Sequence, residues 1–552
     1  MLKKIKNNTP VSAKEIQGTR FTWQLALSNR VIALKIASDC NLTYPVAAAL
    51  NSRGFEFAHK VSSFLFSSFE RDVAHASELK DINTAVERIE KALLAKEKIL
   101  IFGDYDVDGA TATSIVLLAL MPLGANINYF LPNRSRDGYG ISSKIVHRAA
   151  DAGFSLIITV DNGICAHEAA KTAQERSIDM IITDHHQPAE TLPAVCAIVN
   201  PHQKECKFPN KELCGAGVAF KLVSLLYEKQ KLALPEKIYE LITLGTIADV
   251  VPLVNENRYW VRQGLARLNA NMSPHIAALL ANNNSSKSQI GSQDIAFGIA
   301  PQINALGRMD DPRDAVRFLI STDEAQIKTI AVKLGSLNEK RKEAETVVLQ
   351  DVENEIQNKK IDINSEHIIF SAHENWPTGL IGLVAGRLTN RYGRPVFLFH
   401  LTKDGLAKGS CRSIDEFNVY EALCQNKDIL KSFGGHRCAA GLSLPQENLE
   451  KLKEALETTV AKQFTIDQLR PKLQLDASLE LRDTNKKLTQ DLEKLEPFGN
   501  QNPVPTFLVN DLSLVRPPQL LKKKHVKCMF FSNGIVKPAI FFNRPDLFDF
   551  FL

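Results

Sequence analysis

Four stretches of this chain end an apolar run in acidic or imidazole side chains: Asp104, Asp106 and Asp108 in IFGDYDVDG, Asp161 in IITVDNG, Asp184, His185 and His186 in MIITDHH, and Asp249 in LGTIADVVP. Each run reads as a strand that stops where the acidic residues begin. The four segments would then deliver their side chains to one edge of a single parallel sheet, the edge at which open α/β sheets build sites. Oxygen donors with one or two imidazoles suit Mn²⁺ or Mg²⁺. Carboxylates this crowded repel one another unless cations lie between them. The chemistry these residues suggest is two-metal hydrolysis of a phosphoester.

The D-x-D-x-D-G spacing also opens an EF-hand calcium loop. Such a loop needs glutamate at its twelfth position, which counted from Asp104 is Ile115, inside an apolar helix. The calcium reading falls, leaving a strand-to-helix turn in which Gly109, Ala110 and Thr111 let a ligand approach three carboxylates. Adjacent histidines on a strand point to opposite faces. At the end of MIITDHH a loop can turn both inward.

The elements that position these residues follow from pattern. KILIFGD, NINYFLP, LIITVDN, MIITDHH and AIVNP are short β-branched runs, with helical stretches TATSIVLLALM, SSKIVHRAADAG and AHEAAKTAQERS between them. That alternation means βαβ units with right-handed crossovers and a doubly wound parallel sheet. Residues 1–95 read as a polar, helical region, 96–311 as the sheet domain, and 312–360, rich in Ala, Glu, Lys and Leu, as one long helix joining two domains. Over 361–468, HIIFSAHE, PVFLFHL and GLSLP with two helical stretches give a smaller α/β domain. From 469 to 552, short strands with Pro and Asn turns and the basic run LLKKKHVK favour a small β-barrel.

Composition bounds the remaining choices. At roughly 100–200 residues per domain, 552 residues make about three or four domains. With 44% hydrophobic and 23% charged residues the chain is an ordinary globular one. No apolar run approaches the roughly 20 residues of a membrane span, and no apolar stretch follows the N-terminal charges, so neither span nor secretory signal is expected. Nine cysteines without a CxxC pair imply thiols in a reducing cytoplasm. A net charge of +5 selects no partner by itself.

The ordered set GDYDVDG, VDNG, TDHH and GTIADVVPL resembles the DHH phosphoesterases. PNRSRDGYG (132–140), PQINALGRMDDP (301–312), GLIGLVAGRL (379–388), GSCRS (409–413), FGGHRCAAGLSL (433–444) and LEPFGNQNPVPTF (495–507) resemble, in order, segments of the RecJ branch, bacterial single-strand-specific 5′→3′ DNA exonucleases. The resemblance runs from about residue 15 to the end of the chain. It implies a DHH parallel-sheet domain and a smaller DHHA1 α/β domain joined by a long helix, then an oligonucleotide-binding β-barrel. Because the chain stops at PDLFDFFL, earlier than such barrels finish, an incomplete barrel is the expectation.

Carried over residue by residue, the resemblance implies two divalent ions, Mn²⁺ or Mg²⁺, on Asp106, Asp108, Asp161, His185 and Asp249, with Asp104 contributing. His186 would contact the scissile phosphate or a metal-bound water, and Asp184 would orient the histidines. Phe102 stands where related phosphoesterases often carry histidine, which leaves the first ion's ligand set open. Arg134, Asn304 and Arg308 match positions that grip phosphates around the cut, Asn304 and Arg308 acting in catalysis with His186. Ser410, Arg412, Gly434, Gly435 and His436 match a pocket for a terminal phosphate. Lys522, Lys523, Lys524 and Lys527 are candidates for backbone contacts, whereas Trp376 reads as core.

The implied activity is stepwise hydrolysis of single-stranded DNA from its 5′ end to 5′-nucleotides, in recombination and repair. A groove between the two α/β domains would admit one strand but not a duplex. A helicase and a single-strand-binding protein are the partners implied. Three rivals share parts of the pattern. A phosphodiesterase for short oligonucleotides or cyclic dinucleotides would have the same metal site but is typically shorter and lacks the barrel. A non-catalytic single-strand-binding replication scaffold would have lost metal ligands that are present here. A pyrophosphatase of the superfamily carries a different second domain, against which GGHRCAAG argues.

Overall fold

Five short strands, Lys98–Phe102, Asn126–Phe130, Leu156–Val160, Asp179–Thr183 and Ala197–Val199, form one parallel sheet in the spatial order second, first, third, fourth, fifth. They are the five β-branched runs expected. Alternate side chains enter opposite cores: Ile99, Ile101, Ile158 and Val160 one, Leu100, Phe102, Ile157 and Ile182 the other. Helices Ile82–Leu94, Val107–Leu120 and Gly215–Lys229 close the first core, Ser143–Asp151 and His167–Glu175 the second. Burial on both faces is why the strands read as unbroken apolar runs. The chain leaves the first strand towards one edge of the sheet and the third towards the other. A crevice opens between the C-terminal ends of these two neighbours, the topological switch point.

The structure is a computed structural model that describes residues 13–18, 20–133, 138, 140–284 and 287–552. It divides into two units: Ser67–Arg470 with Pro497–Asn502, and Met1–Phe66 with Pro471–Glu496 and Pro503–Leu552. No described helix is long and apolar enough to cross a membrane.

Beyond the parallel sheet, two expectations are corrected. LGTIADVVP is not a strand end: Lys237–Ala248 is a helix of 12 residues, buried on nearly every side, with Asp249 as its C-cap. An apolar run buried all round carries no period, so only its length separates helix from strand. The single helix expected over 312–360 is two, Arg313–Ile320 and Glu324–Gln357. Asp323 starts the second by accepting the Ala325 N–H at 2.9 Å.

The smaller sheet runs Ser432–His436, Ala439–Pro445, Leu406–Arg412, Val396–Leu401, Ile369–His373, antiparallel except for the last pair. Helix Thr378–Tyr392 packs on one face together with the long helix, and Leu449–Ala461 on the other. The seam between the long helix and this domain joins an apolar core, Val348 and Val352 against Ile381, Val384 and Leu388, to ion pairs. Buried Glu345 pairs with Arg341 on its own helix and with Arg387 Nη2 at 2.9 Å, while Trp376 Nε1 donates to Asp351 Oδ2 at 2.9 Å.

In the other unit the helices expected near the start are present, Arg30–Asp39, Tyr44–Ser52 and Ala58–Leu65, but a hairpin precedes them, Ala13–Gln17 with Thr22–Ala26, which Lys472–Leu475 joins in parallel. Its strands are exposed or half-buried, so they show no clean apolar alternation. Near the C-terminus, His525–Ser532 pairs antiparallel with Ile535–Phe541, Gln519–Leu521 and Ser513–Leu514, and Ala477–Ser478 pairs separately with Phe507–Leu508.

Removing one partner of a buried ion pair strands the other charge, which costs about 3–5 kcal/mol, whereas an apolar replacement of both is often neutral. Glu345→Ala is therefore expected to lose stability on that scale, and Arg341→Met with Glu345→Met to recover most of it. Urea unfolding of the intact chain, followed by fluorescence, measures both.

Candidate metal centre

The chain turns from the first strand straight into helix Val107–Leu120. Asp106 is the N-cap, its Oδ1 accepting the Gly109 N–H at 3.0 Å. Asp108, in the first turn and buried, accepts the N–H groups of Gly215 (2.5 Å) and Ala216 (2.8 Å) at the start of helix Gly215–Lys229. A helix N-terminus favours an anion there. Asp161 ends the third strand in the left-handed region at φ 62°, its N–H donating to the Thr183 carbonyl at 3.0 Å. A Cβ on Gly215 would come within 2.4 Å of the Asp161 Cβ, and one on Gly245 within 2.8 Å of Asp108 Oδ1. Only glycine lets these two helices approach the acids so closely.

After the fourth strand, Asp184 faces away from the cluster. Its Oδ1 accepts the N–H groups of His185 (2.7 Å) and His186 (3.1 Å) and lies 2.7 Å from His186 Nδ1, and Oδ2 accepts the Ile164 N–H at 2.9 Å. Both imidazoles then point into the site, ring centres 4.5 Å apart. His185 Nε2 lies 3.1 Å from Asp161 Oδ1, 3.7 Å from Asp249 Oδ2 and 3.9 Å from Asp108 Oδ2. Three overlapping sets, Asp104–Asp106–Asp161, Asp108–His185–Asp249 and Asp161–His185–His186, each place one ligand atom per residue within 4.8 Å of the others. Five carboxylates with two imidazoles make a hard, anionic donor set that fits Mn²⁺ or Mg²⁺.

Electrostatics agree. Burial, with the charges of Asp108, Asp106, Asp104 and Asp249, holds Asp161 well above the usual carboxylate range. Burial, with Asp108 and Asp106, pushes Asp249 up to about 9, and burial with Asp108 raises Asp106. Burial pulls His185 down, towards the neutral imidazole a metal needs. Burial also pulls on His186, but its Asp184 hydrogen bond and the surrounding acids outweigh this and raise it.

The remaining expected residues fall into three places. Asn304 Oδ1 accepts the Val107 N–H at 3.0 Å, which puts it on the backbone of the acidic loop. Arg308 Nη1 donates to the Gly379 carbonyl at 2.8 Å, reaching the start of helix Thr378–Tyr392. On the smaller sheet the register sets Ser410, Gly441 and Gly434 in one row and Arg412, Ala439 and His436 in the next, all on one face. A Cβ on Gly382 would touch Ser410 Oγ at 2.7 Å, so helix Thr378–Tyr392 lies directly over that face. Gly435, between the rows, has φ 146°. Lys522, Lys523 and Lys524 form an exposed turn, and Trp376 is core. Arg134 lies outside the described residues. Sequence reasoning missed the supports Gly215, Ala216 and Gly245; the CGAG run opening an apolar helix was the available signal.

A switch-point carboxylate cluster beside a DHH turn, with a second α/β domain on a long helix, defines a DHH-type protein. The family models agree: DHH family, N-terminal domain, over 98–246, DHHA1 domain over 365–462, and RecJ OB domain over 475–551. The single-stranded-DNA-specific exonuclease RecJ of Escherichia coli K12 is 34% identical over 473 residues, 82% of this chain and 81% of its own. That of Bacillus subtilis 168 is 34% identical over 96% of this chain, which spans 66% of the relative's length. The crystal structure of Thermus thermophilus RecJ in complex with Mn²⁺ matches with TM-score 0.79 and 28% identity, over 94% of this chain and 73% of that one. The chain belongs to the RecJ family.

Cations favour ionised ligands and expel their protons. With Asp249 pushed up to about 9 and Asp161 also raised, Mn²⁺ binding at pH 7 is expected to release protons, and affinity to rise with pH towards about 9. Calorimetry in buffers of different ionisation enthalpy measures the release. The same enthalpy in every buffer would show these acids already ionised.

Proposed function

We infer that this chain is a single-stranded-DNA-specific exonuclease that hydrolyses DNA from the 5′ end to 5′-nucleotides in recombination and repair. The observation that carries the reading is the convergence of Asp104, Asp106, Asp108, Asp161, His185 and Asp249 at the switch point of a RecJ-family chain. These six residues would hold two divalent ions, Mn²⁺ or Mg²⁺. When bound, the ions supply Lewis acidity and water activation for phosphodiester hydrolysis.

The chain's own groups do the rest. Asp184 fixes His186 through Nδ1 and favours its protonated form, so the other ring nitrogen can donate to a phosphoryl oxygen as charge develops there. Asn304 holds the acidic loop through Val107, a positioning role, and Arg308 joins that loop's surroundings to the second domain. Arg134 completes the proposed grip on phosphate. Ser410 and Arg412, with Gly434 and His436 on the same sheet face and the Gly435 backbone between them, would seat the terminal phosphate. A cytoplasmic setting suits the nine free thiols, and a helicase and a single-strand-binding protein are the proposed partners.

Polarity tests the reading, because a phosphodiester looks alike from both directions and something must recognise an end. Losing one charge-assisted contact costs about 1.5–3 kcal/mol, on the order of ten- to a hundredfold in affinity. Arg412→Ala should therefore penalise 5′-phosphorylated strands much more than 5′-hydroxyl ones, measured on strands labelled at either end. Digestion by the unaltered chain from the 3′ end would reverse the assignment.

Phosphate contacts release counterions, so binding should weaken steeply with salt. Replacing Lys522, Lys523 and Lys524 together by Ala should weaken binding to long strands and flatten that slope, with little effect on a very short substrate. An unchanged slope would mean the turn touches no DNA.

A further inference from the structure

The motif LEPFGNQNPVPTF contains a loop, Pro497–Asn502, that packs with the Ser67–Arg470 unit although its flanking residues belong to the other unit. The loop is built. Gly499 and Asn502 exchange backbone hydrogen bonds at 2.9 and 3.0 Å, and the buried Asn502 side chain donates to the Pro497 carbonyl at 2.8 Å. The Phe498 carbonyl accepts Ser292 Oγ at 2.6 Å, and the Pro497 carbonyl accepts Arg258 Nη1 at 3.3 Å.

Asn500 carries the loop to the metal centre's own chain. The Asn500 side-chain amide donates to the Val250 carbonyl at 2.8 Å, and its main-chain carbonyl accepts the Leu253 N–H at 2.9 Å. Both ends of the turn that follows Asp249 are thus held by one residue. That turn needs holding. Val250 sits at φ 59°, a conformation β-branched residues rarely adopt, and the residue is 63% exposed, so packing does not fix it. Asp249 itself ends a helix, where the exposed carbonyls repel a carboxylate.

We propose that Asn500 is a positioning residue for Asp249: its amide and carbonyl clamp the Val250–Leu253 turn and so aim the Asp249 carboxylate at the metal position shared with Asp108 and His185. The inference rests on the reading of Asp249 as a metal ligand. A support behind a ligand typically changes metal affinity ten- to a hundredfold.

The test is Mn²⁺ titration of the intact chain, by electron paramagnetic resonance of the free ion, with Asp249→Asn as reference. Asn500→Ala, and Asn500→Asp, which keeps the shape but loses the donor, should each weaken Mn²⁺ binding about ten- to a hundredfold. Turnover should fall with KM for single strands unchanged, and excess Mn²⁺ should restore it. Adding Val250→Gly, which takes positive φ freely, should recover much of the affinity lost by Asn500→Ala. If Asp249→Asn weakens binding while both Asn500 variants titrate like the unaltered chain, the clamp is refuted and the ligand reading survives. If Asp249→Asn leaves the titration unchanged, the ligand reading fails and the clamp with it. Should Asn500→Ala fail to fold, Asn500→Asp decides alone.

Discussion

Five carboxylates brought together at the end of one sheet repel each other, and taking them out of water adds a further cost. The chain offsets part of this with its backbone. The start of helix Gly215–Lys229 gives two N–H groups to Asp108, and the start of helix Val107–Leu120 gives one to Asp106. These are fixed dipoles that need no counter-charge in the folded protein and take up no room where a cation sits. What they cannot supply is full neutralisation. Burial and the neighbouring charges raise the proton affinity of Asp161 and push Asp249 up to about 9, and divalent charges bound there would complete the balance.

The same constraint explains why the helices come so close. An N–H can reach a buried carboxylate only if nothing intervenes, and a methyl group on Gly215 or Gly245 would collide with Asp161 or Asp108. Packing and electrostatics are therefore one requirement at this site. The smaller domain solves a different problem with similar means: its sheet register aligns a hydroxyl, a guanidinium, an imidazole and glycines on one face. Arg308 and the Glu345 ion pairs tie the two domains of that unit together with directional contacts, which set orientation more sharply than apolar packing would.

Legibility tracks periodicity. The acids after the first, third and fourth strands are readable because a buried parallel strand is a short apolar run and its end is visible. Asp249 is legible as a ligand candidate but not as a helix cap, since helix Lys237–Ala248 has no polar face to betray its period. The N-terminal hairpin escapes because its half-exposed strands lack alternation. Asn304 and Arg308 read as residues that grip phosphate, and in the fold Asn304 also accepts the Val107 N–H and Arg308 also donates to a carbonyl 71 residues away. Contacts to main chain leave little trace in sequence, because every residue carries the partner group.

The adjacent histidines show how one such contact sets chemistry. Alternation along a strand would send His185 and His186 to opposite faces. Asp184 prevents this by accepting both of their backbone N–H groups, which curls the strand end and turns both rings inward. The same carboxylate then separates their roles. It bonds the His186 ring and raises its proton affinity, while His185, without that bond, is lowered by burial. One imidazole is thereby biased towards the neutral form a metal ligand needs and the other towards the protonated form. The acid that makes this division is the one that contributes to none of the three ligand sets.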